Sequence, residues 1–132
     1  VKYYNDSIGT SPTRTMACLD SFEQKLILIA GGYDKGVPFT QLGVEIVRQV
    51  KALILTGDTA TAIKKAVEEA EGYTESDLKL IETEDLTSAV SAAREIAQTG
   101  DIVVLSPACA AFDRFKNFME RGKVFKQLVN EL

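Results

Sequence analysis

A run of small residues near the end of the chain could bind an anion. Residues 102–105 are β-branched or apolar, which is typical of a buried central strand, and residues 106–111 that follow are small. A strand that ends in small residues before a helix leaves backbone N–H groups free to bind an anion. The stretch therefore predicts either an anion site or a tight strand-to-helix turn.

A helix is predicted to begin at about Phe112. Phe112, Phe115 and Met119 are spaced as one face of a helix, and Asp113 lies near the positive end, where a carboxylate is favoured. Under the plainer interpretation of this stretch, these side chains form an aromatic core face.

Two other loops carry polar residues that a core does not need. In residues 5–12, Asp6 could accept hydrogen bonds from two ribose hydroxyls or stabilise its own turn, and Thr10 is either a ligand hydroxyl or part of a helix cap. In residues 31–36, Lys35 could pair with a carboxylate or phosphate, or be merely solvated. This glycine-rich turn matches neither a P-loop nor the dinucleotide fingerprint.

Spacing reveals no catalytic machinery. The chain has no histidine to activate Cys109, and no carboxylate pair, catalytic triad or metal-ligand cluster emerges. The residues alone predict a domain that binds a small anion or the edge of a nucleotide, with no catalytic residue and no metal site.

The elements that must position these loops alternate regularly along the chain. This alternation predicts a single α/β domain with a doubly wound, Rossmann-like, mostly parallel sheet of about six strands and helices on both faces. Ser11 with Pro12, and Asp85, are predicted helix starts. The clearest strand signals are residues 1–4, 25–30, 52–56, 78–81 and 102–105.

Composition limits the possible partners. The 132 residues carry a net charge of −4, which argues against a nucleic-acid surface, and no apolar run approaches the length of a spanning helix. Cys18 and Cys109 are expected to be free thiols. We expect no nucleic-acid or membrane partner and a monomer. Because the chain begins abruptly in a predicted strand, we also expect a piece of a longer protein.

Three motifs together resemble the C-terminal domain of the Mur ligases, over the whole chain. They are Asn5-Asp6-Ser7-x-x-Thr10, Gly31-Gly32-x-Asp34-Lys35-Gly36, and the long block Leu105-Ser106-Pro107-Ala108-Cys109-Ala110-x-Phe112-Asp113-x-Phe115-Lys116-Asn117-Phe118-x-x-Arg121-Gly122. The third block is long and specific, and the resemblance is strongest to the members that add D-glutamate.

The resemblance implies that residues 1–132 are the amino-acid-binding domain of a three-domain, ATP-dependent ligase of peptidoglycan synthesis, in the bacterial cytoplasm. Such an enzyme forms an acyl phosphate on a UDP-N-acetylmuramoyl-L-alanine substrate and joins D-glutamate to it. ATP and Mg²⁺ would be held mainly by a central domain outside this chain, so the chain alone is expected to be inactive.

Residue by residue, the resemblance places Thr10 and Lys35 against a carboxylate of D-glutamate. The backbone of Ala111 and Phe112, together with Phe118, would line the rest of that pocket. Asp6 would reach the ATP ribose.

Two positions depart from the family pattern. Many members have lysine where this chain has Ile8, and serine where it has Ala111. With the first change a nucleotide contact is missing or replaced, and the second change removes a hydroxyl from the amino-acid pocket.

Other interpretations remain open at this stage. Within the family, the chain could belong to a ligase that adds another amino acid, or to the related folylpolyglutamate ligases. From a different class, it could be a free-standing α/β protein-interaction domain.

Overall fold

The computed structural model describes residues 1–132 and shows five strands alternating with five helices. The elements are β1 (Lys2–Asn5), α1 (Pro12–Asp20), β2 (Leu26–Ala30), α2 (Thr40–Gln49), β3 (Val50–Leu55), α3 (Ala60–Glu69), β4 (Lys79–Glu82), α4 (Leu86–Ile96), β5 (Ile102–Leu105) and α5 (Phe118–Asn130). All strand pairs are parallel, in the order β1-β5-β2-β3-β4. The predicted fold class is confirmed, with five strands where about six were expected.

The central strand β2 shows why the sheet is covered on both faces. Its five residues are all buried, and alternate side chains point to opposite sides. Leu26, Leu28 and Ala30 join one core with α1, α2 and α3, whereas Ile27 and Ile29 join a second core with α4 and α5. Three helices therefore cover one face and two cover the other.

The predicted helix starts at Ser11 and Asp85 are confirmed. The Ser11 hydroxyl accepts a hydrogen bond from Arg14 N at 3.4 Å, and Pro12 occupies the first turn. Asp85 Oδ1 accepts from Ser88 N at 2.8 Å. Each side chain satisfies a backbone donor that the helix itself leaves unpaired.

The predicted helix start at about Phe112 is wrong, because α5 begins six residues later at Phe118. Ala111 O accepts from the N–H groups of both Arg114 and Phe115, which closes a single turn. Asn117 then adopts an extended conformation, φ −162°, and its side chain caps α5 by accepting from Glu120 N at 2.9 Å.

The residues predicted to form an aromatic core face are also wrong in part. Phe112 and Met119 are 62% and 63% exposed, so only Phe115 of the predicted set packs against the core. Phe125, which lies further along α5 than Met119, is the aromatic residue that the second core buries. Asp113 consequently lies in the loop before α5 and not at its positive end.

Neither cysteine is bridged, as predicted from the sequence.

None of the helices combines the length and the apolar character needed to cross a bilayer.

Candidate functional site

The loop that follows β5 occupies a topological switch point of the sheet. β5 lies between β1 and β2, whose chains continue into α1 and α2 on one face, whereas the chain after β5 continues into α5 on the other face. Connections that diverge in this way open a crevice at the carboxyl ends of the strands, where ligands bind in open α/β sheets. The three loops predicted from sequence therefore lie side by side around β5.

The glycine-rich loop after β2 is held close to both of its neighbours. Gly31 has φ +112°, and a Cβ there would lie 1.9 Å from Thr56 O, so only glycine fits this approach to β3. On the other side, Gly31 N donates to Pro107 O at 2.9 Å, and Tyr33 N donates to Ala110 O, also at 2.9 Å. The loop is thus bonded directly to the chain that leaves β5.

Asp6 is the first residue after β1, and one of its oxygens is already occupied. Ser106 Oγ donates to Asp6 Oδ2 at 2.6 Å and lies 2.9 Å from the hydroxyl of Thr15, which is fully buried. Asp6 Oδ1 is bonded to no backbone or hydroxyl group, and the Cys18 thiol lies close enough to the carboxylate that burial and the Asp6 charge raise its pKa to about 11. The carboxylate therefore has a fixed orientation and one oxygen available to an external donor.

Thr10 does not cap α1, because the capping hydroxyl belongs to Ser11. Within the chain, Thr10 contributes its backbone N–H, which donates to Ile8 O at 2.8 Å. Its half-buried side chain remains available to a ligand, which is the alternative that the sequence left open.

Lys35 projects from the loop after β2 as an exposed cation. The loop is shaped by Asp34, whose Oδ1 accepts from Gly36 N at 2.8 Å. The chain's ion pairs involve other lysines and arginines, so Lys35 has no carboxylate partner of its own. Ser11, which follows Thr10, and Val37, two residues after Lys35, line the same cleft of about 630 Å³.

The loop after β5 has backbone features suited to an anion. Ala108 has φ +63°, a left-handed conformation that costs a non-glycine residue free energy and is most common at functional sites. Three residues later, the N–H groups of Ala111 and Phe112 make no backbone hydrogen bond. Ala111 is buried, whereas Phe112 is exposed and packs edge-on against Tyr33 with ring centroids 6.1 Å apart.

Phe118 begins α5 beside the loop after β1. Its carbonyl accepts from Ser7 Oγ at 2.7 Å, and its side chain lines a groove of about 570 Å³ together with Asn5, Ile8 and Met119. Phe118 is therefore bonded to the loop that carries Asp6 and Thr10, whereas Lys35 lies on the separate loop after β2.

Two acidic side chains meet at the edge of the site. Burial raises the pKa of Asp113, and repulsion from the Asp58 carboxylate adds to this, although Asp58 N donates to Asp113 Oδ2 at 3.3 Å. No group of three or more acidic, cysteine or histidine side chains gathers in the chain.

Cys109 is a packing residue of the site. Its Sγ lies 3.2 Å from Thr59 Oγ1, and burial raises the thiol pKa to about 11, so the nucleophilic thiolate is scarce at neutral pH.

Four residues that had no predicted role organise the site. Ser106 orients Asp6, Ser7 bonds Phe118, Thr59 supports the glycine-rich loop, and Arg121 donates to Ser7. The polar residues at 106, 7 and 59 are fully or almost fully buried, as is Arg121. Ser7, Ser106 and Arg121 lie within the motifs described above, and that membership was the one available signal for them.

The chain is similar to a known protein family. The family model described as "Mur ligase, glutamate ligase domain" matches residues 1–109. Three relatives, each named UDP-N-acetylmuramoylalanine–D-glutamate ligase, match the whole chain. They come from Clostridium botulinum strain Kyoto (49% identical), Clostridium kluyveri strain ATCC 8527 (50%) and Acetivibrio thermocellus (51%). The chain spans 29% of the length of each relative.

Proposed function

Because the chain belongs to the Mur ligase family, we propose that it is the amino-acid-binding domain of an ATP-dependent UDP-N-acetylmuramoyl-L-alanine:D-glutamate ligase. The identities of about one half over the full chain to relatives of that name support this assignment. The complete protein would act in bacterial peptidoglycan synthesis in the cytoplasm, as a monomer of three domains of which residues 1–132 form the last.

One observation carries the proposal: an exposed cation and free backbone N–H donors lie on two neighbouring loops at the switch point of the sheet. Lys35 lies on the loop after β2, and the unbonded N–H groups of Ala111 and Phe112 lie on the loop after β5. The bond from Tyr33 to Ala110 joins these two loops. A dicarboxylic amino acid presents two anions, and the site offers two separate means of binding them.

In this assignment, Lys35 and Thr10 bind one carboxylate of D-glutamate. The N–H groups of Ala111 and Phe112 bind the other, and the ring of Phe118 closes the pocket. Ala111 lacks the hydroxyl that many family members have here, so only backbone N–H donors would bind the second carboxylate.

The fixed carboxylate of Asp6 is suited to a ribose hydroxyl. Its free Oδ1 can accept one such hydrogen bond while Ser106 holds Oδ2. Ile8, exposed on the groove beside Phe118, supplies no charge to the nucleotide.

ATP would supply the phosphoryl group that converts the substrate carboxylate into an acyl phosphate, with release of ADP. The amino nitrogen of D-glutamate would then attack the acyl carbon, forming the amide and releasing phosphate. This chain would hold and orient that amino acid, while a central domain outside it would hold Mg²⁺ and the ATP phosphates.

The test is amide formation by the full-length protein. Purified protein would be supplied with ATP, Mg²⁺ and UDP-N-acetylmuramoyl-L-alanine, and with D-glutamate, L-glutamate, D-aspartate or meso-diaminopimelate in separate reactions. We expect phosphate release and a new amide product with D-glutamate alone. Product with a diamino acid, or in a parallel reaction of a folate acceptor with L-glutamate, would assign another ligase, and no product in any reaction would favour an interaction domain.

A further inference from the structure

Arg121 is a buried cation in the first turns of α5 and has no acidic partner. It is 4% exposed, and it donates to a single residue, from Nε to Ser7 Oγ at 3.0 Å and from Nη2 to Ser7 O at 2.8 Å. Its third nitrogen, Nη1, is buried without a hydrogen-bond partner. Burying a guanidinium is costly unless its donors are satisfied, so such a group in the core of a site calls for a physical explanation.

The bonds of Arg121 belong to a small network that joins the loop after β1 to the start of α5. Ser7 Oγ donates to Phe118 O at 2.7 Å, and Asn5 Nδ2 donates to Gly122 O at 3.0 Å. Gly122 permits this approach, because a Cβ there would lie 3.0 Å from Asn5 Nδ2 and 3.1 Å from the Cβ of Ser7. We call Asn5, Ser7, Phe118, Arg121 and Gly122 the α5 latch.

The unpaired edge of Arg121 faces the glycine-rich loop. Nη1 lies 3.2 Å from the position that a Cβ of Gly32 would take, and Arg121 lines a cavity of about 20 Å³ with Gly32, Gly57 and Asp113. A cavity of this size accommodates about one water molecule. Burial lowers the pKa of Arg121 to about 10, so the group remains a cation at neutral pH. The guanidinium is therefore bonded to the loop after β1, its free edge faces the loop after β2, and it shares a small cavity with Asp113 of the loop after β5.

We propose that Arg121 is a positioning residue that fixes Asp6 and Phe118 relative to each other, so that nucleotide binding and amino-acid binding both depend on the α5 latch. Asp6 lies between Asn5 and Ser7, both of which are bonded to the first turns of α5. Phe118 is held by the same serine. The inference rests on the proposed function, since it concerns the two ligands assigned there.

The test compares Arg121→Lys and Ser7→Ala in the full-length ligase. Lysine keeps the charge but loses the planar fork that bonds both oxygens of Ser7. Ser7→Ala keeps the arginine and removes one of its acceptors. Arg94→Lys, at an exposed position of α4, is the matched control.

We expect both variants to remain folded and to raise the KM for D-glutamate and the KM for ATP together, each by about tenfold or more. The double variant should be no worse than the more damaged single variant, because both break the same network. Hydrogen exchange of the unliganded protein should be faster in residues 5–10 of each variant and unchanged in the control.

Two results would overturn the inference. The first is a lower melting temperature with both KM values unchanged, which would make Arg121 a purely structural residue. The second is a change in only one KM. If Arg121→Lys does not fold, the same readouts on Ser7→Ala decide. Failure of the unmodified protein to use D-glutamate would count against the proposed function, whereas unchanged KM values in an active parent would count against the latch alone.

Discussion

The hydroxyl of Thr59 accepts a hydrogen bond from the backbone N–H of Gly32 at 3.0 Å, inside the core of the site. Thr59 N in turn donates to Gly32 O at 3.2 Å, so the turn after β3 holds both polar backbone groups of this glycine. The glycine-rich loop that carries Lys35 is therefore supported by the turn that follows β3.

Thr59→Val should destabilise the chain by about 1–3 kcal/mol, because valine has the same shape but leaves the buried Gly32 N–H without an acceptor. Urea denaturation of the wild type and the variant measures this difference. Thr61→Val, on the exposed side of α3, is the control and should change the free energy of unfolding by only a small fraction of the effect of Thr59→Val. Equal effects of the two substitutions would show that the buried bond adds nothing.

Asn117→Ala should lower the free energy of unfolding by about 1 kcal/mol, because Asn117 caps α5 through Glu120 N. Phe112→Ala should be close to neutral for stability, since that ring is 62% exposed. Chemical denaturation of both variants tests the observed start of α5. The opposite ranking would restore the helix start at about Phe112 that the sequence suggested.

Asp85 should make the stability of the chain depend on acid pH. The hydrogen bond from Ser88 N lowers the pKa of this carboxyl, so its stabilising effect is complete above the ordinary carboxyl pKa and is lost as pH falls through the folded-state pKa. Asp85→Ala should therefore cost about 1 kcal/mol at neutral pH and less in acid.

Unfolding of the wild type and of Asp85→Ala from pH 7 down to about pH 3, across the ordinary carboxyl pKa, measures that effect. The two stability curves should converge as the pH falls. A constant difference between them would mean that the cap acts without its charge.

The strands and most helices could be predicted from local pattern. In β2, five consecutive apolar residues require two buried faces, and that requirement alone indicates a sheet covered on both sides. Ser11 and Asp85 are capping residues whose partners lie three residues away, so their roles are visible in the sequence.

The start of α5 could not be predicted in this way. Phe112, Phe115 and Met119 have helical spacing, but Phe112 packs on Tyr33, a residue of another loop. The helix begins after Asn117 and not at the first residue of the aromatic pattern, because the Asn117 side chain satisfies a backbone donor of the helix.

The organisation of the site depends on contacts that are distant in sequence. Ser106 and Asp6 are 100 residues apart, and Arg121 and Ser7 are 114 apart. Which loops become neighbours follows from the strand order, which places β5 between β1 and β2. The alternation of strands and helices predicts a parallel sheet but not this order, so buried polar residues such as Ser106 could not be given roles from the sequence.

The central claim is that the site binds D-glutamate through Lys35, and steady-state kinetics of Lys35→Ala in the full-length protein test it most directly. A charge-assisted hydrogen bond contributes about 1.5–3 kcal/mol, so kcat/KM for D-glutamate should fall by about ten- to a hundredfold or more, mainly through KM. The KM values for ATP and the nucleotide sugar should change far less, and Lys35→Arg should restore activity only in part.

Lys65→Ala, an exposed lysine of α3, is the matched control and should behave as the wild type. We predict that Lys35→Ala selectively lowers kcat/KM for D-glutamate. An unchanged kcat/KM for D-glutamate would contradict it and leave the backbone donors of Ala111 and Phe112 as the anchor of the amino acid.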